Sequence, residues 1–285
     1  MRSAESVAVS GAAAPNHPPE PKLLDRVRES VRVRHYSRRT EEAYVTWIRR
    51  FIVFHGKKHP SGMGGVEIAR YLTYLAVERK VSASTQNQAL SALLFLYRQV
   101  LCLDPGVIDH VPRAHSPMRV PVVLSVDEVR AVLNQLTGVS RMIAALLYGA
   151  GLRLQESLEL RVKDLDFDSN QIVVRRGKGQ KDRRTMLPAS VKACLTAHLG
   201  DVRRQHQRDL SDGLGRVTLP AALERKYPNA ATEWSWQFVF PATRICRDPR
   251  FGPPSRYHLH ESAVQRAVTA AVRRAAIAKR VSCHT

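Results

Sequence analysis

Two short stretches carry residues whose types and spacing could do chemistry on a phosphate. The first is YGAGLRLQESLEL, Tyr148 to Leu160. Leu152, Leu154, Leu158 and Leu160 give it an apolar side, while Arg153 and Glu156 sit three apart on one helical face. Gly149 and Gly151 allow a tight turn just before, so the guanidinium can be presented at a helix start. A planar, permanently charged fork is the side chain best matched to two oxygens of one phosphate. Taken alone, Arg153 also reads as half of an ordinary surface ion pair. The second stretch is RRGKGQKDRR, Arg175 to Arg184. Gln171 to Val174 reads as a strand, Gly177 and Gly179 bracket Lys178, and Arg183 to Leu187 reads as the returning strand, so a lysine tips a two-stranded turn. Arg175, Arg176, Lys181 and Arg183 surround that lysine with positive charge, which suits contact with a nucleic-acid backbone.

The elements that must position these residues are mostly helices. The segment 1–21 is rich in Ala, Ser and Pro and reads as a disordered leader. From Lys22 the spacing predicts four helices. The first carries Leu23, Leu24, Val27 and Val31; the second is capped by Ser37 or Thr40 and carries Tyr44, Trp47, Ile48, Phe51 and Ile52. The third spans Val66 to Glu78, and the fourth Ser84 to Leu101, apolar nearly all round and therefore interior to a bundle. On the fourth, Thr85, Gln86 and Asn87 are either phosphate contacts or a solvated helix start. These make an N-terminal helical domain over 22–104. The proline-rich, basic run 105–121 reads as an interdomain linker, suited to a clamp around a duplex. A second domain, 122–285, opens on a Ser125/Glu128 capping box and ends on a helix from Ser262 to Ile277.

Within the second domain the segment from about 215 to 260 differs in character. It combines Trp234, Trp236, Phe238, Phe240, Tyr257, His258 and His260 with arginines and prolines, and Gln237 to Ala242 has the look of a strand. Rings among basic residues serve a site that stacks unpaired bases while tracking phosphates; equally, they fill a small local core under a long insertion. His258 and His260 lack partners at zinc-ligand spacing.

Composition bounds the partner. The chain has 285 residues, 44% hydrophobic, with a formal net charge of +20 spread along its length rather than held in a tail. That calls for a polyanion and a large folded surface facing it, and no run is long or apolar enough for a membrane span. Four scattered cysteines, Cys102, Cys194, Cys246 and Cys283, make no C-x-x-C pair, which excludes a disulfide scaffold and points to a reducing cytoplasm.

G-L-R-x-x-E-x-x-x-L followed by G-K-G-x-K-x-R resembles the tyrosine recombinase (phage integrase) superfamily. HYSRRTEEAYVTWIRRFIVFHGKKHP, VSASTQNQALSALLFLYRQVL and LERKYPNAATEWSWQFVFPA look like integron integrases, the last falling in an inserted element that marks the subfamily. The resemblance implies a mainly α fold, with an N-terminal helical core-binding (SAM-like) domain and an α-rich catalytic domain carrying a small β-hairpin sheet. It implies recombination of gene cassettes at double-stranded attI and at folded single-stranded attC sites, by four protomers, in the bacterial cytoplasm at the nucleoid. The reaction passes through a 3′-phosphotyrosine and needs neither ATP nor metal. Arg153 matches the first arginine of the family, which stabilises the phosphorane; Glu156 orients it; Lys178 matches the hairpin general acid; His284 matches the opening histidine of an H-x-x-R box. Trp236, Tyr257 and His258 match the place where extrahelical attC bases stack, with Tyr257 departing from a histidine seen in relatives. The second arginine and the nucleophilic tyrosine are expected after His284, and Thr285 is reached before either, since Tyr148, Tyr227 and Tyr257 all precede it. The expectation is a C-terminally truncated recombinase that does not cleave DNA alone; the alternative is a DNA-binding fragment that occupies att sites.

Overall fold

The computed structural model describes residues 21–104, 120–175, 181–219, 221–247 and 253–285. The chain divides into two compact units, Met1–Arg119 and Val120–Thr285.

In the first unit, α1 (Leu23–Val33), α2 (Arg38–Phe54), α3 (Gly65–Val77) and α4 (Ala83–Phe95) close around Val27, Ile48, Phe51, Ile68, Leu72 and Leu93, all essentially inaccessible. Three of the four helix starts have a local cause. Ser37 Oγ accepts the Thr40 amide ahead of α2, Glu67 reaches back to the Gly64 amide at 2.7 Å, and Ser82 Oγ accepts the Thr85 amide. The expected fourth helix therefore begins one residue earlier than Ser84, at Ala83. It also does not stay α-helical. Leu96–Leu101 widens into a π-helix, ended by Cys102 in the left-handed region. Tyr97, on this widened turn, is buried and donates its hydroxyl to Pro60 O at 3.0 Å; burial pushes its pKa up to about 12. Arg26 Nη2 donates to Val100 O at 2.8 Å, tying α1 to the same turn.

In the second unit, α5 (Val126–Asn134), α6 (Gly138–Gly149), α7 (Leu154–Leu158) and α10 (Glu261–Arg274) share one core with α8 (Ala189–Ser211) and a three-stranded antiparallel sheet. The expected capping box is formed: Glu128 N donates to Ser125 Oγ and Ser125 N to Glu128 Oε2. The sheet order is β1 (Leu165–Asp166), β2 (Gln171–Val174), β3 (Arg183–Met186), with Ile172 opposite Leu165 on one side and Thr185 on the other. Ile172 and Val174 face the core and Gln171 and Val173 are half-buried, the alternation of a one-sided sheet. A short α9 (Ala221–Lys226) lies within segment 215–260. The last helix stops at Arg274, with Ala276 in the left-handed region, rather than at Ile277.

Gln237–Ala242 is not a strand. A 3-10 turn covers Trp234–Trp236, and the extended chain after it makes only isolated bridges, Arg161 with Phe238 and Pro241 with His258. The pairing is real but short: Val162 N donates to Gln237 O and Val239 N to Leu160 O. This places segment 215–260 directly behind α7. A second, small core of Val217, Leu219, Ala230, Ala231 and Phe238 fills this segment, with Trp236 and Tyr257 packed on its side.

Candidate functional site

The loop 150–153 leaves α6, turns through Gly151 at φ +62, and enters α7 with Arg153 as the N-cap in extended backbone. Arg153 thus caps the helix rather than riding on it. Glu156, in the first turn, reaches back: its Oε2 accepts the Arg153 amide at 2.9 Å and its Oε1 accepts Arg153 Nη1 at 2.7 Å. Arg183 arrives from β3 on the other side and donates Nη1 to Oε1 at 2.9 Å and Nη2 to Oε2 at 2.7 Å. The Glu156 side chain is only 8% exposed, whereas Arg153 is 51% exposed. Arg183 is the main cause that holds the Glu156 carboxyl down at about 2; the Arg153 amide and guanidinium add to it, and burial opposes them. The group is therefore one fixed carboxylate shared by two arginines, with a net positive charge and its outer guanidinium turned to solvent. Such an arrangement can receive a second anion at Arg153 without displacing the carboxylate.

The sheet is sewn to this loop. Arg183 Nη2 donates to Gly151 O at 3.3 Å and Thr185 Oγ1 to Ala150 O at 2.8 Å. Arg183, expected on DNA backbone, instead spends its guanidinium on Glu156. Arg175 is likewise drawn inward, donating Nε at 2.7 Å to Asp164 Oδ1, a carboxylate whose other oxygen accepts the Arg161 amide. Lys181 is exposed ahead of β3. Arg176 and Lys178 lie outside the described residues. His284 is exposed; its amide donates to Ser282 Oγ, and no described contact links its ring to Arg153, Glu156 or Arg183. The chain around it is anchored by Lys279, which donates to Glu128 Oε2 at 2.7 Å and Val123 O at 3.1 Å.

Behind α7 opens a cavity of about 800 Å³, lined by Arg161, Lys163, Arg175, Tyr227, Trp236 and Tyr257 among others. Arg161 shapes it. Its Nη1 donates to Trp236 O at 2.6 Å, its Nη2 to Thr218 O at 3.0 Å, and its guanidinium lies 4.4 Å from the Phe238 ring centroid. The Lys163 ammonium sits 2.7 Å from the Trp236 ring centroid. Neither Arg161 nor Lys163 stood out in the sequence, although R-V-K directly after an apolar helix was the available signal.

The aromatic candidates separate. Trp236 and Tyr257 are half-buried on the cavity wall. His258 is buried: its ring packs 4.2 Å from Tyr257 and 5.3 Å from Phe238, and Nδ1 lies 2.8 Å from Leu259 O. Burial lowers its pKa, so it is a neutral, enclosed ring and not an open stacking face. Trp234 stands away from this cavity, beside His206 and Arg203. In the first unit, Gln86 Nε2 donates to Leu72 O at 3.2 Å, which turns it inward; Thr85 and Asn87 are half-buried at the start of α4. Among the described residues no cluster of His, Cys, Asp or Glu could hold a metal ion, and no helix is long and apolar enough to cross a membrane.

Residues 23–104 match the phage integrase N-terminal SAM-like domain, and residues 123–285 match the phage integrase family. An integrase/recombinase from Escherichia coli and another from Pseudomonas aeruginosa are each 48% identical over 264 residues, spanning 93% of this chain and 78% of theirs. A tyrosine recombinase XerA from Thermococcus onnurineus is 30% identical over 53% of the chain and 54% of its own length. In fold, the chain is similar to a lambda integrase dimer bound to a COC′ core site, with TM-score 0.57 and 17% identity over 92% of this chain and 81% of that one.

Proposed function

The chain belongs to the phage integrase family of tyrosine recombinases, and from that membership we propose that it is a DNA recombinase of the integron type, acting on attI and on folded attC sites. The observation that carries the chemistry is the Glu156 carboxylate held between Arg153 and Arg183. Arg153 binds the nonbridging oxygens of the scissile phosphate and stabilises the charge that grows on them as the phosphorane forms. Glu156, ionised throughout, fixes that guanidinium. Lys178, which falls between β2 and β3 in the sequence, returns a proton to the leaving 5′-oxygen, and His284 handles the proton of the attacking tyrosine.

This reading, like the DNA-binding alternative, requires that residues 1–285 hold att DNA in part through Arg153. Gel retardation of att DNA by purified residues 1–285 tests this: the expected result is a retarded complex that Arg153→Ala weakens severalfold, and binding unchanged by Arg153→Ala contradicts it.

The integron reading rests on the inserted segment, whose small core presents Trp236 and Tyr257 along a cavity large enough for a nucleobase. Lambda integrase has been seen as a tetramer bound to a Holliday junction, and a tetramer on paired att sites is the assembly proposed for the present protein.

A further inference from the structure

Lys163 differs from every other cation around the cavity. Arg161 is occupied by two carbonyls and the Phe238 ring, and Arg175 by Asp164. For Lys163 no carboxylate among the described residues lies at ion-pair distance; its ammonium is seated on the Trp236 ring, half-buried, with both residues facing the same cavity. A cation held by a ring alone has given up water for a weak partner and is ready for a stronger one. The ring beneath it is the half-buried indole that best fits an unpaired base.

We propose that the ring face of Trp236 now covered by the Lys163 ammonium is the platform on which an extrahelical base stacks, and that Lys163 swings off it to pair with the phosphate of that same nucleotide. This rests on the reading of the cavity as a nucleobase site, and adds to it a specificity-determining residue. The cover selects. A bare aromatic face would attract any ring, whereas displacing an ammonium demands that the incoming group bring both an aromatic plane and an anion within reach of one lysine stem. A nucleotide flipped from a hairpin does so, and a paired one does not. Burial first, then the charges of Arg175 and Arg161, lower the Lys163 pKa to about 8, against Asp164 and Glu233, which raise it; Glu159 faces the same cavity. The ammonium is thus charged at pH 7 and is lost as pH rises through 8.

The test uses the chain 1–285 with two hairpins, one carrying a single unpaired base and one with that base deleted, titrated between about 50 and 200 mM salt. For Lys163→Met the expected result is a three- to tenfold loss on the unpaired-base hairpin. Its log–log salt slope should also fall by about 0.7–0.9, the signature of one phosphate contact, with the paired hairpin unchanged within twofold. Lys163→Arg retains the slope. Raising the pH from 7 to 9 lowers wild-type affinity for the unpaired-base hairpin and leaves Lys163→Met unaffected. The paired hairpin serves as the control for folding. Equal losses on both hairpins, or an unchanged slope, overturn the assignment to Lys163 even where Trp236→Ala abolishes the preference. A preference that survives Trp236→Ala overturns the stacking reading and this inference together.

Discussion

At the scale of single residues, the account turns on Glu156. Its folded-state carboxyl is depressed to about 2, so its contribution is complete above the ordinary carboxyl range near 4.5 and is lost as pH falls from there toward 2. Replacing it by glutamine should destabilise the second unit by about 1–3 kcal/mol at pH 7, less than a fully buried pair because both guanidinia reach solvent. The measurement is thermal unfolding against pH. The gap between wild type and Glu156→Gln should be constant above pH 5 and close as pH approaches 2; a gap independent of pH would mean that packing, and not charge, is lost. Trp236 is the second residue at issue. A stacked base contributes about 1–3 kcal/mol, so Trp236→Ala should weaken binding to a hairpin with an unpaired base by about fivefold to a hundredfold or more. Comparable loss on perfectly paired duplex would make Trp236 a core residue only.

Among elements, segment 215–260 is held to α8 by a buried ion pair. Asp209 is 5% exposed, Arg256 grips both its oxygens, with Nη2 to Oδ1 at 2.7 Å, and Gln205 donates to the same carboxylate at 2.9 Å. Burial raises the Asp209 pKa, but these hydrogen bonds outweigh it and keep the group charged. Removing one partner strands the other. Arg256→Met should cost about 3–5 kcal/mol, and the double replacement Asp209→Leu with Arg256→Met should recover most of it. Chemical denaturation of the two variants checks both. If the double variant is as unstable as the single one, the carboxylate was not the source of the cost.

The elements also mark what the sequence allowed to be read. Ser37, Ser125 with Glu128, and the alternation of Gln171–Val174 are local signals, and the helices and β2 follow from them. The widened turn at Leu96, the two-residue β1 and the missing strand at Gln237–Ala242 depend on partners distant in sequence: Pro60 for Tyr97, Ile172 for Leu165, and Leu160 with Val162 for the insertion. The same holds at the site. Arg153 and Glu156 are three apart and legible together, but Arg183 reaches Glu156 only because β3 folds back, and its motif position suggested DNA contact. Similarly, His258 looked like a stacking ring until Phe238 and Tyr257 enclosed it.

At the scale of the whole molecule, the net charge of +20 is the dominant fact. Binding to any duplex should fall steeply with salt, with a log–log slope of about −5 or steeper if six or more phosphates are engaged, and neutralising surface arginines should lower it stepwise. That term carries no sequence information. In the proposed reading discrimination comes from segment 215–260 and its cavity, so it is tested on folded DNA and not by affinity alone. The most direct measurement is competition for residues 1–285 between a folded attC bottom strand and the same hairpin with its extrahelical bases removed, at fixed salt. Recognition through a single stacked base predicts at least about a fivefold preference for the hairpin that keeps its unpaired bases. Equal affinity for the two would leave a tyrosine recombinase fold in place and contradict its assignment to attC sites.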